Sequence, residues 1–150
     1  MNYVKNQLTM MRKSLLKEIE GVAPELLDVQ PEGFNNTIHW HLGHVLTAAE
    51  KFLLDDSSTL PANYSQLFGY GSKPAAWTGE VPSVDTLTQQ LQEQLGRLLE
   101  IPEERMTEKA AQPFMGMETI GEFINFVVQH EVNHIGQIHA MKRIIQSTHQ

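Results

Sequence analysis

The sequence contains no cysteine. That excludes a disulfide framework, a thiolate nucleophile supplied by the chain and a cysteine-ligated zinc. Basic residues are scarce too. Lys and Arg number 11 against 18 Asp and Glu, a formal net charge of −7. Nucleic acid and anionic membranes both need a basic patch, so neither is expected as a partner. No apolar run approaches the roughly 20 residues of a membrane span. The first twenty residues, MNYVKNQLTMMRKSLLKEIE, lack the continuous apolar core of a signal peptide. A cytoplasmic protein is the expectation. There is no internal repeat, no low-complexity tract and no credible strand pattern. At 150 residues, one domain spanning 1–150 is expected, large enough to bury a core.

What the chain does have is helical periodicity. Val4, Leu8, Met11, Leu15 and Ile19 form one stripe, which predicts a first helix over about 2–20, with Gly21 as its stop. A connection with two prolines follows. Asn35, Asn36 or Thr37 can cap a second helix over about 37–54, with Ile38, Leu42, Val45, Ala49 and Phe52 on one side. Ser83 can cap a third over about 83–100, with Val84, Leu87, Leu91, Leu95 and Leu98 in register. The fourth and longest covers about 118–145. Its start is written as a capping box, Thr119 with Glu122 three residues later. Four amphipathic helices predict an all-α four-helix bundle. Residues 55–82 have no clean period but carry Tyr64, Phe68, Tyr70 and Trp77. Aromatics need somewhere to pack, so this segment is expected to be ordered.

The fourth helix holds the chemistry. Ile120, Phe123, Val127, His130, His134, Ile138, Met141 and Ile145 recur at helical steps, so two histidines lie inside the apolar stripe. Residues four apart on a helix point the same way, with Cβ atoms roughly 5–6 Å apart. His130 and His134 are therefore placed to share one divalent metal. As packing residues each would still need its polar nitrogens satisfied in the core; a metal satisfies both at once. Bundles build such sites from facing helices, so a third ligand belongs on another helix. The second helix offers His39, His41 and His44 in TIHWHLGH. At about 100° per residue, His41 sits closer to the centre of the apolar stripe than His44. Periodicity alone leaves the two open.

His130-Glu131-Val132-Asn133-His134 is also literally H-E-x-x-H, the zinc protease signature with a glutamate base. The surroundings do not fit it. No Asp or Glu follows Glu131 to act as a downstream ligand, and the longer pattern would need Gly at 137 and His at 140, where the chain has Gln137 and Ala140. Glu131 is read as incidental to the site or as an acid behind it. Gln137, three after His134, shares the face and either orients a ring or sits at the rim.

Helix two, TIHWHLGHVLTAAEKFLL, and helix four, GMETIGEF followed by HEVNHIGQI, together resemble the DinB/YfiT-like family of metal-dependent enzymes. Members are DNA-damage-inducible in some bacteria, and the family is unrelated to the polymerase that shares the name. The resemblance spans nearly the whole chain. It implies His44, His130 and His134 as ligands, His44 being the last histidine of its motif. It further implies an up-down-down-up bundle, a divalent metal (often nickel or zinc) between helices two and four, and a homodimer. Some relatives use a low-molecular-weight thiol, such as bacillithiol or mycothiol, in S-transfer. A thiol-dependent S-transferase with a small-molecule substrate is thus the implied function. A non-catalytic metal-binding stress-response protein and a metal-dependent hydrolase are the alternatives. Three histidines leave a coordination position for water or substrate, the pattern of catalytic sites. That position is expected to face a cleft roofed by residues 55–82, with Tyr70 and Trp77 nearest an apolar substrate.

Overall fold

The computed structural model describes residues 2–149. Four long helices lie close to where the stripes put them: α1 (Asn2–Ile19), α2 (Ile38–Leu53), α4 (Val84–Leu99) and α5 (Ile120–Thr148). A short helix, α3 (Tyr64–Phe68), lies between α2 and α4. The caps fall at the expected residues. The Thr37 side chain accepts from the Trp40 amide, and Ser83 from that of Thr86. At α5 the capping box is complete: Thr119 accepts from the Glu122 amide, and the Glu122 carboxylate accepts from the Thr119 amide.

The relative directions follow from side-chain pairs. Arg12 meets Glu131 and Glu18 meets Lys142, so α1 and α5 run the same way. His41 meets His134 and His44 meets His130, so α2 and α5 run oppositely. Lys5 reaches the Leu99 carbonyl and Arg12 that of Leu91, so α1 and α4 are antiparallel.

The apolar core comes in two clusters. One holds Leu15, Leu42, Leu46, Phe68, Leu91 and Ile138. The other holds Leu8, Leu53, Leu98, Phe123 and Val127. Between them the stripes are interrupted by polar residues that are almost fully buried: Arg12, Glu50, Gln94 and Glu131. They satisfy one another. Arg12 Nε and Nη2 donate to the two Glu131 carboxylate oxygens at 2.9 and 3.3 Å, and Nη2 also donates to Gln94 Oε1 at 3.2 Å. Gln94 Nε2 donates to Glu50 Oε2 at 2.7 Å, and Arg97 Nη1 to Glu50 Oε1 at 2.9 Å. Buried charges persist only when paired and hydrogen-bonded in this way.

One feature departs from the sequence reading. Residues 109–119 form an antiparallel hairpin, β1 (Lys109–Phe114) and β2 (Met117–Thr119). Strand β1 is exposed at five of its six positions, so no face is buried and no alternating pattern marks it. The segment 55–82 is expected to be ordered, and it is. Its Tyr64, Leu67 and Phe68 are buried as part of the core. Gly43 of α2 makes room for it: a Cβ there would stand 2.2 Å from the Phe68 ring. No helix among the described residues is long and apolar enough to cross a membrane.

Candidate metal centre

The antiparallel crossing of α2 and α5 brings His44, His130 and His134 together, with one nitrogen from each ring within 4.8 Å of the others. His130 Nε2 lies 3.1 Å from His44 Nε2 and 3.1 Å from His134 Nε2. Nitrogens that share one tetrahedral zinc at about 2.0–2.1 Å stand about 3.3 Å apart, close to this spacing. His44 and His134 are buried, while His130 is half-buried at the edge.

Hydrogen bonding tests whether the three rings fit an ion. His44 Nδ1 lies 2.6 Å from the Phe68 carbonyl oxygen. A carbonyl only accepts, so Nδ1 carries the proton and a neutral His44 has its lone pair on Nε2. That lone pair faces the His130 Nε2, which in turn faces the His134 Nε2. A single proton on His130 Nε2 can serve only one of its two neighbours, and a cation serves all three. His134 Nδ1 lies 2.7 Å from His41 Nδ1. With the His134 Nε2 lone pair turned to the centre, its Nδ1–H donates to His41. The donor set therefore fits a divalent ion. Imidazole suits zinc, nickel, copper and iron alike, so the donors do not name the metal.

Electrostatics keep the rings neutral, as ligation requires. Burial pushes His134 down to about 2, and the charges that His130, His44 and His41 would carry push the same way. Burial, then His44, lowers His130 to about 4. Burial also lowers His44, against the bond to the Phe68 carbonyl.

The surroundings hold the rings in place. Trp40, one turn before His44, stacks on it with centroids 4.5 Å apart and planes 11° from parallel. Trp40 Nε1 in turn donates to Ser72 Oγ at 2.9 Å. His41, the rival candidate on α2, is fully buried behind His134, and its Nε2 is buried without a hydrogen-bond partner. His39 is apart from the cluster, between Asp28 Oδ1 and the Pro82 carbonyl at 2.8 Å each.

Other expectations move. Glu131 does not face the histidines. Its carboxylate is 1 % exposed and bound through both oxygens by Arg12, which leaves it no part as a general base. Gln137 is half-buried on α5. Tyr70 stands fully in solvent. Trp77 packs on His39 and Phe68, and its Nε1 donates to the Leu67 carbonyl. Neither lines the centre; the segment 55–82 contributes the Phe68 carbonyl instead. Sequence reasoning missed that carbonyl, because main-chain groups carry no residue signal. It also missed Trp40, although the i,i+4 spacing from His44 was readable.

The fold and site together define a class: a helical bundle whose second and last long helices converge three imidazoles on one point. The chain belongs to the DinB superfamily, whose family model matches residues 7–138. Among solved structures it is similar to the conserved protein of a locus from Enterococcus faecalis, at 12% identity and a TM-score of 0.72. That likeness covers 97% of this chain and 96% of the other, and concerns the fold. No curated protein matches the chain.

Proposed function

We propose that this protein is a divalent-metal-dependent enzyme in which His44, His130 and His134 hold the ion and a low-molecular-weight thiol is the cosubstrate. The observation that carries the reading is the convergence of three Nε2 atoms, one with its lone pair turned inward by the Phe68 carbonyl. A bound ion with an open position would lower the pKa of a thiol placed there and favour the thiolate. The chain has no cysteine, so the sulfur comes from the cosubstrate. In S-transfer, that sulfur forms a bond to an electrophilic carbon, the leaving group departs with its electron pair, and the thiol proton passes to solvent. The chain's own part is to hold three neutral rings in place through Phe68, Trp40 and His41. Nickel and zinc are the ions the family resemblance favours.

The test uses metal-loaded protein with monochlorobimane and a panel of low-molecular-weight thiols. Metal-dependent conjugation lost in His130→Ala supports S-transfer. Metal-replete protein with no thiol-dependent turnover rejects it.

The reading includes a cytoplasmic homodimer. Val132, Gly136, Ala140 and Ile144 recur every four residues on the exposed side of α5, and small residues there permit close helix contact. Sedimentation equilibrium giving only a 17.0 kDa species would reject the dimer.

A further inference from the structure

The hairpin β1–β2 turns through Met115-Gly116, with φ of +50° and +82°. Tight hairpins favour that hand, but with Asn, Asp or Gly first; an L side chain such as methionine is disfavoured there. Met115 is nonetheless 80% exposed, and Phe114 beside it 41%. The tip thus presents two large apolar side chains to solvent, where a small polar residue would fold more easily. Local conflicts of this kind mark functional positions.

Phe114 is the end of an aromatic wall. Its ring centroid lies 5.0 Å from Phe52 of α2 and 5.9 Å from Phe126 of α5. Phe52 and Phe126 are 5.2 Å apart, and Phe126 stands 5.8 Å from the His130 imidazole. The wall therefore reaches the least buried of the three candidate ligands. Phe126 is one turn before His130, about 6 Å along the axis, and Phe52 two turns beyond His44, about 12 Å. A cavity of about 460 Å³ lies under the hairpin beside the wall; Phe52, Phe114 and Phe123 line it together with charged residues of both signs, among them Asp55 and Lys109, and the histidines do not.

We propose that this wall holds the apolar body of the molecule whose head sits at the three histidines. The inference rests on the metal reading above and adds a substrate class: a metal-binding head, such as a thiol, carrying an aryl or alkyl arm about 10 Å long. The placement selects this occupant, because a wall one helical turn from His130 is within reach of an arm on a molecule held there. Aromatic rings at this spacing receive an aryl group edge-on or offset. The exposed tip residues close over the arm from the solvent side.

The experiment reads binding rather than turnover. Cobalt-substituted protein is titrated with 2-mercaptoethanol, benzyl mercaptan and 4-phenylbutane-1-thiol, following the thiolate-to-cobalt charge-transfer band. The phenyl-ended thiols are expected to bind about tenfold more tightly than 2-mercaptoethanol, as burial of an apolar arm requires. That advantage shrinks in Phe114→Ala and survives in Phe114→Leu, which separates lost apolar contact from a collapsed hairpin. No charge-transfer band with any of the three thiols, in protein that holds cobalt, overturns the thiol reading, and the inference with it. Equal affinities for all three overturn the apolar wall and leave the metal reading standing. A tail preference unchanged in Phe114→Ala overturns it too. So does a Phe114→Ala protein whose only change is loss of a dimer on sedimentation, since the tip would then cover a second copy.

Discussion

His44 donates its Nδ1 proton to the Phe68 carbonyl at 2.6 Å, and this bond selects the nitrogen left free to face His130. The carbonyl belongs to α3, in the segment between α2 and α4, so an element with no ligand of its own sets the tautomer of one candidate ligand. Second partners of this kind typically change metal affinity 10–100-fold.

Metal stoichiometry tests the cluster directly. His130→Ala and His134→Ala are expected to abolish binding of a divalent ion, and His44→Ala to weaken it strongly. His41→Ala should weaken it by roughly 10–100-fold while keeping a site, because His41 touches His134 and not the centre. Elemental analysis of protein purified without a histidine tag reads the outcome. A His44→Ala protein that keeps its metal while His41→Ala loses it would reverse the roles of the two.

Gly43→Ala probes the Phe68 contact. The new methyl would stand 2.2 Å from the Phe68 ring, so the ring and its backbone must shift. Overpacking of this kind costs about 1–3 kcal/mol. Urea unfolding of the metal-free protein should show that loss, and metal affinity should fall with it as the Phe68 carbonyl leaves His44.

Arg12→Met removes the cation from a buried carboxylate 119 positions away in the chain. Breaking a buried pair from one side destabilises by about 3–5 kcal/mol. Adding Glu131→Leu should recover most of the loss, since no buried charge is then left alone. Chemical denaturation of the single and double variants measures both steps. Glu131→Gln should keep full metal stoichiometry; a loss of metal there would tie the glutamate to the site after all.

The metal-free protein should lose stability in mild acid. Unfolded histidines titrate near 6.5, whereas folded His41 and His130 titrate near 4 and His134 near 2. Below 6.5 the unfolded chain therefore binds more protons than the folded one. Their contribution is whole above the unfolded value and is lost as pH falls toward the folded values. Each such histidine contributes a slope of up to ~1.4 kcal/mol per pH unit in that window. Thermal melts of chelator-treated protein between pH 7 and pH 4 check the sign. A flat or rising Tm on acidification would contradict it.

Much of this was legible because it is local. The stripes of α1, α2, α4 and α5 are readable from apolar spacing, the Thr119–Glu122 cap from two residues three apart, and the His130/His134 pair from one helical turn. Each depends only on a helix's own geometry. What the sequence could not do is rotate α2 against α5. His41 and His44 both lie on or near the apolar side, and the wheel favours His41. Tertiary packing sends His41 behind His134 and turns His44 to meet His130, with Trp40 and Phe68 holding its ring. The residues after Glu131 already argue against a protease base, but its actual partner, Arg12, comes from the other end of the chain. The hairpin at 109–119 left no period because neither of its faces is buried along β1. Periodicity reports what a helix or strand does to its own side chains; the partner of a buried polar atom lies dozens of residues away, and only the folded chain brings it within hydrogen-bond distance.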